Sequence, residues 1–201
     1  MNPAQRTNYV PASRLMGWLE RFSGAHGGQD SLQDTDDGVM LRMRDGATAT
    51  LAAPWPAEGR PGRGTNILER LVSVTAQERS YGILLLRRGG FAVGVAKAGK
   101  LVAHKVGSAS GRSRGTDPAA AVIERASQEA SRLFAGAAFE YLGTGGDRQL
   151  VDSVLSVPAL RRYADTTRLA PIPVQELKMD ALMRAAADFA SVRIHITDVH
   201  K

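Results

Sequence analysis

The chain has 201 residues, a formal charge of +6 and a pI near 10.1, which suits one compact domain with a small N-terminal addition. Hydrophobic residues make up 43%, no apolar run approaches the ~20 residues of a bilayer span, and there is no cysteine, which argues against a membrane role and a disulfide scaffold. The N-terminus lacks the apolar segment of a secretory signal, setting the expectation of a soluble, cytoplasmic protein, and the surplus of Lys and Arg favours an anionic partner such as RNA.

In chain order, Pro11 to Ser23 reads as an amphipathic helix, with Leu15, Trp18, Leu19 and Phe22 at helical spacing behind a first-turn proline and glycines at 24, 27 and 28 to end it. The polar, acidic stretch QDSLQDTDDG reads as a loop. Val39–Arg44 and Ala47–Ala53, joined by Asp45-Gly46, form a hairpin. The Pro- and Gly-rich segment PWPAEGRPGRGT closes an N-terminal helix-and-hairpin subdomain, expected over residues 1–60, with a second domain over 61–201. Asn66–Ser73 is a short helix.

Tyr81–Arg87, Phe91–Lys97 and Leu101–Val106 then form a three-stranded meander, separated by Gly89-Gly90 and Ala98-Gly99. Asp117 caps a helix that opens on Pro118 and runs to about Ala135, with Val122, Ala126, Ala130, Leu133 and Phe134 on one buried face. Phe139–Leu142 reads as a fourth strand and GTGGD as a tight turn into a helix over Arg148–Leu155, with Asp147 as its cap. Leu160–Ala164 continues as a short helical turn, a last helix covers about Glu176–Phe189, and Val192–Thr197 alternates as a half-buried strand. The order of meander, helix, strand and helix specifies an α/β (α+β) fold: a ribonuclease-H-like mixed sheet with packed helices.

Charge is concentrated in one stretch. Between Tyr81 and Thr116 stand Arg87, Arg88, Lys97, Lys100, Lys105, Arg112 and Arg114, with no acidic residue. These are the RNA-binding candidates. The loop from Gly107 to Asp117 has three glycines, three serines and two arginines and no large apolar group, so it is expected to protrude rather than join a core. There Arg112 and Arg114 can meet phosphates, while Gly107, Gly111 and Gly115 allow a nucleic-acid strand to approach the backbone. The four histidines are scattered and no metal-ligand spacing occurs, so neither a metal nor a small-molecule cofactor is expected. Aromatic residues are only 5%, which disfavours recognition of single strands by stacking.

The segment RRGGFAVGVAKAGKLVAHKVGS followed by GR, the helix carrying RASQ, and TGGDRQLVDSVLSVPAL resemble the Vms-like release factors of actinobacteria and chloroflexi. These are related to the middle domain of the eukaryotic class-one release factor. The resemblance implies hydrolysis of peptidyl-tRNA by water on stalled or split ribosomes, with the large subunit and tRNA as partners and Gly115 and Thr116 at the catalytic loop tip. The family loop carries a Gly-Gly pair with glutamine at or shortly after it. This chain instead reads GRSRGTDPAAAV, with Gly115 alone and no glutamine. Gln128 stands about ten residues into the following helix, roughly 15 Å along its axis. Two expectations follow: an enzyme with altered or impaired hydrolysis, or a ribosome- or RNA-binding factor of the same fold without it.

Overall fold

The computed structural model describes residues 5–56, 60–108 and 117–198. The chain divides into two compact units, Met1–Gln77 with Ala190–Lys201, and Glu78–Phe189. The division therefore falls at Gln77/Glu78 rather than near residue 60, and the last strand groups with the N-terminal part rather than with the second domain. The reason is main-chain pairing: Val192–Thr197 lies between two N-terminal strands and hydrogen-bonds to both.

The first unit begins with β1 (Gln5–Val10) and α1 (Ala12–Ala25), capped by Pro11. Leu15, Leu19 and Phe22 form the buried stripe of α1, and Trp18 stacks on Phe22 at 4.8 Å. Gly27 and Gly28 have positive φ, and the Gly28 N–H returns to the Ser23 carbonyl at 2.8 Å, so the glycines end α1 in a left-handed cap. Next come β2 (Gln29–Thr35), β3 (Gly38–Met43) and β4 (Thr48–Ala52). The Asp45-Gly46 turn joins β3 to β4 as expected, with Gly46 at φ 93° and the Asp45 carboxylate accepting from the Ala47 N–H at 3.0 Å. The acidic segment expected as a loop is β2. It pairs with β3 through main-chain bonds at the sheet edge, where polar side chains can remain in water. The helix α2 (Ile67–Thr75) is held by a reciprocal cap: Asn66 accepts from the Glu69 N–H at 2.9 Å, and the Glu69 carboxylate accepts from the Thr65 N–H at 2.7 Å. The bonds from Thr65 hold the Glu69 carboxyl below its ordinary range.

The second unit opens with β5 (Ser80–Arg87), β6 (Gly90–Lys97) and β7 (Lys100–Ser108), the expected meander. Then α3 (Pro118–Ala135) crosses the sheet and delivers β8 (Tyr141–Gly146) parallel to β5, giving the order β7-β6-β5-β8. Asp117 caps α3 by accepting from the Ala119 N–H at 3.0 Å, and Val122, Ala126, Ala130, Leu133 and Phe134 are buried, as their spacing predicts. The GTGGD segment is not only a turn, because β8 continues through Gly146. A side chain at Gly143 would meet the Phe189 ring at 2.7 Å, and one at Gly145 would meet the Ile172 carbonyl oxygen at 2.8 Å. The two glycines lie on the same face of β8, and it is their lack of side chains that lets that face be approached so closely. Asp147 then caps α4 (Arg148–Ser156), accepting from the Gln149 and Leu150 N–H groups at 2.9 and 3.3 Å.

A 3-10 turn over Arg161–Tyr163 follows, and α5 (Met179–Phe189) completes the unit. The core between the sheet and helices α3 and α4 includes Leu84, Leu86, Phe91, Val93, Phe134 and Val154. On α5, Leu182 packs near Gly94 and Phe189 near Gly143. The chain then returns to the first unit as β9 (Val192–Thr197), between β1 and β4 in a sheet of order β1-β9-β4-β3-β2. The protein is thus mixed α/β, with two sheets and five α-helices among the described residues.

Candidate nucleic-acid interface

The C-terminal ends of β5, β7 and β8 and the start of β6 share one end of the second sheet. The register fixes this: Arg87 pairs with Gly90, Gly90 with Ser108, and Leu86 with Gly146. The segment 109–116 leaves from this end after Ser108 and rejoins α3 at Asp117. Five of the expected site residues, Gly111, Arg112, Arg114, Gly115 and Thr116, lie outside the described residues.

The remaining expected cations separate into two groups. Arg87, Arg88 and Lys105 stand at the end that carries Ser108. Lys97 and Lys100 pair with each other at the opposite turn, where Ala98 and Gly99 have φ of 50° and 77°. Because β6 spans Gly90 to Lys97, the Arg87 row lies roughly 23 Å from the Lys97 turn at the rise of a strand, and Lys105, opposite Val93, stands between them while lining the cleft at the Ser108 end. The two ends are neighbours in sequence only. A hairpin puts its alternate turns at opposite ends, so one run of basic residues becomes two patches.

At the loop end a cleft of about 640 Å³ is lined by Arg87, Lys105, Gly107, Arg125 and the 175–178 segment. Arg87 is partly committed there, because its Nη1 donates to the Val174 carbonyl at 3.2 Å and to that of Gln175. With those two carbonyls engaged by Arg87, they are not the acceptors of a helix starting near Glu176, and α5 begins at Met179. Lys178 and Glu176 are 2.7 Å apart at the rim, and each moves the other's pKa, Lys178 upward and Glu176 downward. Both are exposed, so the pair leaves the cleft with a net positive lining from Arg87, Lys105 and Arg125.

Gly107 has a steric role. It lies opposite Phe91, and a Cβ there would come within 2.5 Å of the Phe91 ring. A Cβ on Gly90 would meet the Gly107 carbonyl oxygen at 2.6 Å. These two glycines let β6 and β7 close tightly just before the 109–116 segment.

Arg125 belongs to this site although it lies beyond the basic run that ends at Thr116. It donates from Nη1 to the Ser108 carbonyl, and its guanidinium lies 5.9 Å from the Phe91 ring centroid. Nothing in the sequence around Arg125 marks this role, since it depends on where α3 crosses β6 and β7. Gln128 lies on the exposed side of α3 with its amide 3.5 Å from the Glu124 carboxylate, so its bond is to its own helix. Among the described residues no group of three or more His, Cys, Asp or Glu side chains is placed to hold a metal ion.

The profile of the Actinobacteria/chloroflexi VLRF1 release factor matches residues 79–195, more than half of the chain. The chain belongs to this release-factor family. The matched region covers the second unit almost entirely and extends into β9, so the basic loop end lies within it. No curated protein matches the chain. Among solved structures, the Vms1 mitochondrial localization core is similar over 96% of this chain and 86% of its own, at 9% identity and a TM-score of 0.46. The archaeal translation termination factor aRF1 is similar over 94% and 68%, at 14% identity and a TM-score of 0.36. Archaeoglobus fulgidus Pelota is similar over 93% and 63%, at 13% identity and a TM-score of 0.33. Scores this low add nothing to the case for chemistry.

Proposed function

We propose that this VLRF1-family protein binds the large ribosomal subunit in the cytoplasm and acts on peptidyl-tRNA in stalled or split ribosomes. Family membership supports the reading, and the observation that carries it is the positive cleft at the base of the 109–116 segment, formed by Arg87, Lys105 and Arg125. Cations at the base of a loop can engage ribose-phosphate backbone on either side of it, which orients what the loop presents. In the proposed reaction a water oxygen bonds to the ester carbonyl carbon, the bond to the tRNA 3′ oxygen breaks, and that oxygen takes up a proton. Residues Gly115 and Thr116 are proposed for the tip, with Arg112 and Arg114 on RNA phosphates. No cofactor is needed for this chemistry.

A second reading is favoured by one specific observation: the segment from Gly107 to Ser127 contains no glutamine. On this reading the protein occupies the same ribosomal site without cleaving the ester. The test is release of labelled peptide from peptidyl-tRNA on purified large subunits, with co-sedimentation of the same samples. Release that Gly115→Ala abolishes supports hydrolysis. Binding without release supports the second reading, and absence of both contradicts the ribosomal assignment.

A further inference from the structure

The first unit carries a surface that the release-factor reading does not use. In the sheet β1-β9-β4-β3-β2, one face is closed by apolar side chains such as Leu41, Ala49, Leu51, Ile194 and Ile196. Alternation sends the intervening residues to the other face, and the register assembles them into cross-strand rows. One row is Gln5, Thr197, Thr48, Arg42 and Ser31. The next is Thr7, His195, Thr50, Met40 and Gln33. A third holds Tyr9, Arg193 and Ala52.

No carboxylate stands in any of these rows. The chain as a whole has 20 acidic residues, and exposed antiparallel faces ordinarily offset a cation with an acid across the ladder. Here Arg42 is exposed and faces Thr48 and Ser31, while half-buried Arg193 faces Tyr9 and Ala52. The Nε of Arg193 is buried and has no hydrogen-bond partner among the described residues. A guanidinium nitrogen kept from water without an acceptor is costly, so Arg193 is not neutralised from within the sheet and its charge is left to whatever meets the accessible part of the group on this face.

We propose that this open face is a second RNA-contacting surface, which holds the backbone of a helical RNA. The side chains select that occupant. With Met40, Ala52 and Tyr9 as its main apolar contributions, the face has no large hydrophobic anchor for a protein partner. One tyrosine is too little for a stacking platform, so single-stranded recognition is not favoured. A field of Thr, Ser and Gln hydroxyls and amides between two guanidinium groups suits the wide, shallow minor groove of A-form RNA, where 2′-hydroxyls and phosphates are displayed. From strand spacing and rise, the Cα atoms of Arg42 and Arg193 lie roughly 16 Å apart, far enough to engage separate phosphates.

The proposal is tested by titrating the full chain into a labelled RNA duplex of roughly 16 base pairs, the span that a double-stranded-RNA-binding domain reads. Arg42→Glu and Thr50→Asp are compared with the parent, and the DNA duplex of the same sequence with the RNA. Each variant is expected to weaken RNA binding at least fivefold, and Arg42→Gln is expected to lower the salt dependence by about one phosphate contact. The RNA duplex is expected to bind more tightly than the DNA. Melting curves establish that the variants remain folded, and Arg42→Gln repeats the test without charge reversal. Affinities within twofold of the parent for all three folded variants would overturn the proposal. Equal affinity for DNA and RNA, or binding of the parent to an acidic polypeptide but not to the RNA duplex, would overturn the assignment to helical RNA. Peptide release is not the readout, so failure here leaves the release reading untouched.

Discussion

The Arg125 guanidinium on α3 donates a hydrogen bond to the main-chain carbonyl of Ser108, the last residue of β7. With the Phe91 ring against the same guanidinium, this side chain joins the crossover helix to the strand end from which the 109–116 segment departs. The tie involves a charged donor, so its removal is expected to cost about 1.5 kcal/mol where the loop must be held in place. On the hydrolytic reading, Arg125→Ala is therefore predicted to lower peptide release on large subunits about tenfold, with a melting-temperature loss of only a few degrees. Arg125→Lys keeps the charge but loses the planar fork, and should recover only part of the activity. Release within twofold of the parent for Arg125→Ala would contradict the positioning role.

The glycines of β8 give a stability prediction. Gly143→Ala places a methyl group against the Phe189 ring, and Gly145→Ala places one against the Ile172 carbonyl. Each is expected to destabilise the protein by about 1–3 kcal/mol in denaturant unfolding. Gly24→Ala is the control. Gly24 lies within α1 with no atom within 4 Å of the place an added methyl group would take, and its replacement should stabilise by about 0.5–1 kcal/mol.

Asp188, on α5, supplies the pH dependence. Burial raises its carboxyl above its ordinary value, and the Arg184 charge one turn away only partly offsets this. The folded state therefore holds the Asp188 proton more tightly than the unfolded state. The resulting stabilisation is full below the unfolded carboxylate pKa and is lost as pH rises through the raised folded value. Asp188→Asn is predicted to raise the melting temperature at neutral pH, with the advantage shrinking as the pH is lowered through the acid range. An advantage that grew on acidification would contradict the sign.

The strong local signals of this chain survive in the fold. Pro11, Asp117 and Asp147 stand at helix starts, Asp45-Gly46 turns the hairpin, and the meander strands end within a residue or two of their expected bounds. What was illegible depends on long-range pairing. The 29–35 segment is too polar to look like a strand, yet it needs only main-chain bonds at a sheet edge. The last strand reads correctly in isolation, but no local pattern tells it to pair with residues almost a full chain length away. The placement of the candidate residues was legible in the same uneven way. The basic run was visible, whereas its separation into two patches required the register, and Arg125 required the position of α3.

That separation gives the most direct test of the account. Two double variants are compared for co-sedimentation with purified large ribosomal subunits: Arg88→Glu with Lys105→Glu at the loop end, and Lys97→Glu with Lys100→Glu at the opposite turn. Both change the charge by the same amount. The account predicts that the loop-end pair weakens binding at least tenfold and makes it less salt-dependent, while the opposite pair stays within about threefold of the parent. Equal losses from the two pairs, or a larger loss from Lys97 and Lys100, would contradict the assignment of the ribosome-facing site to the loop end.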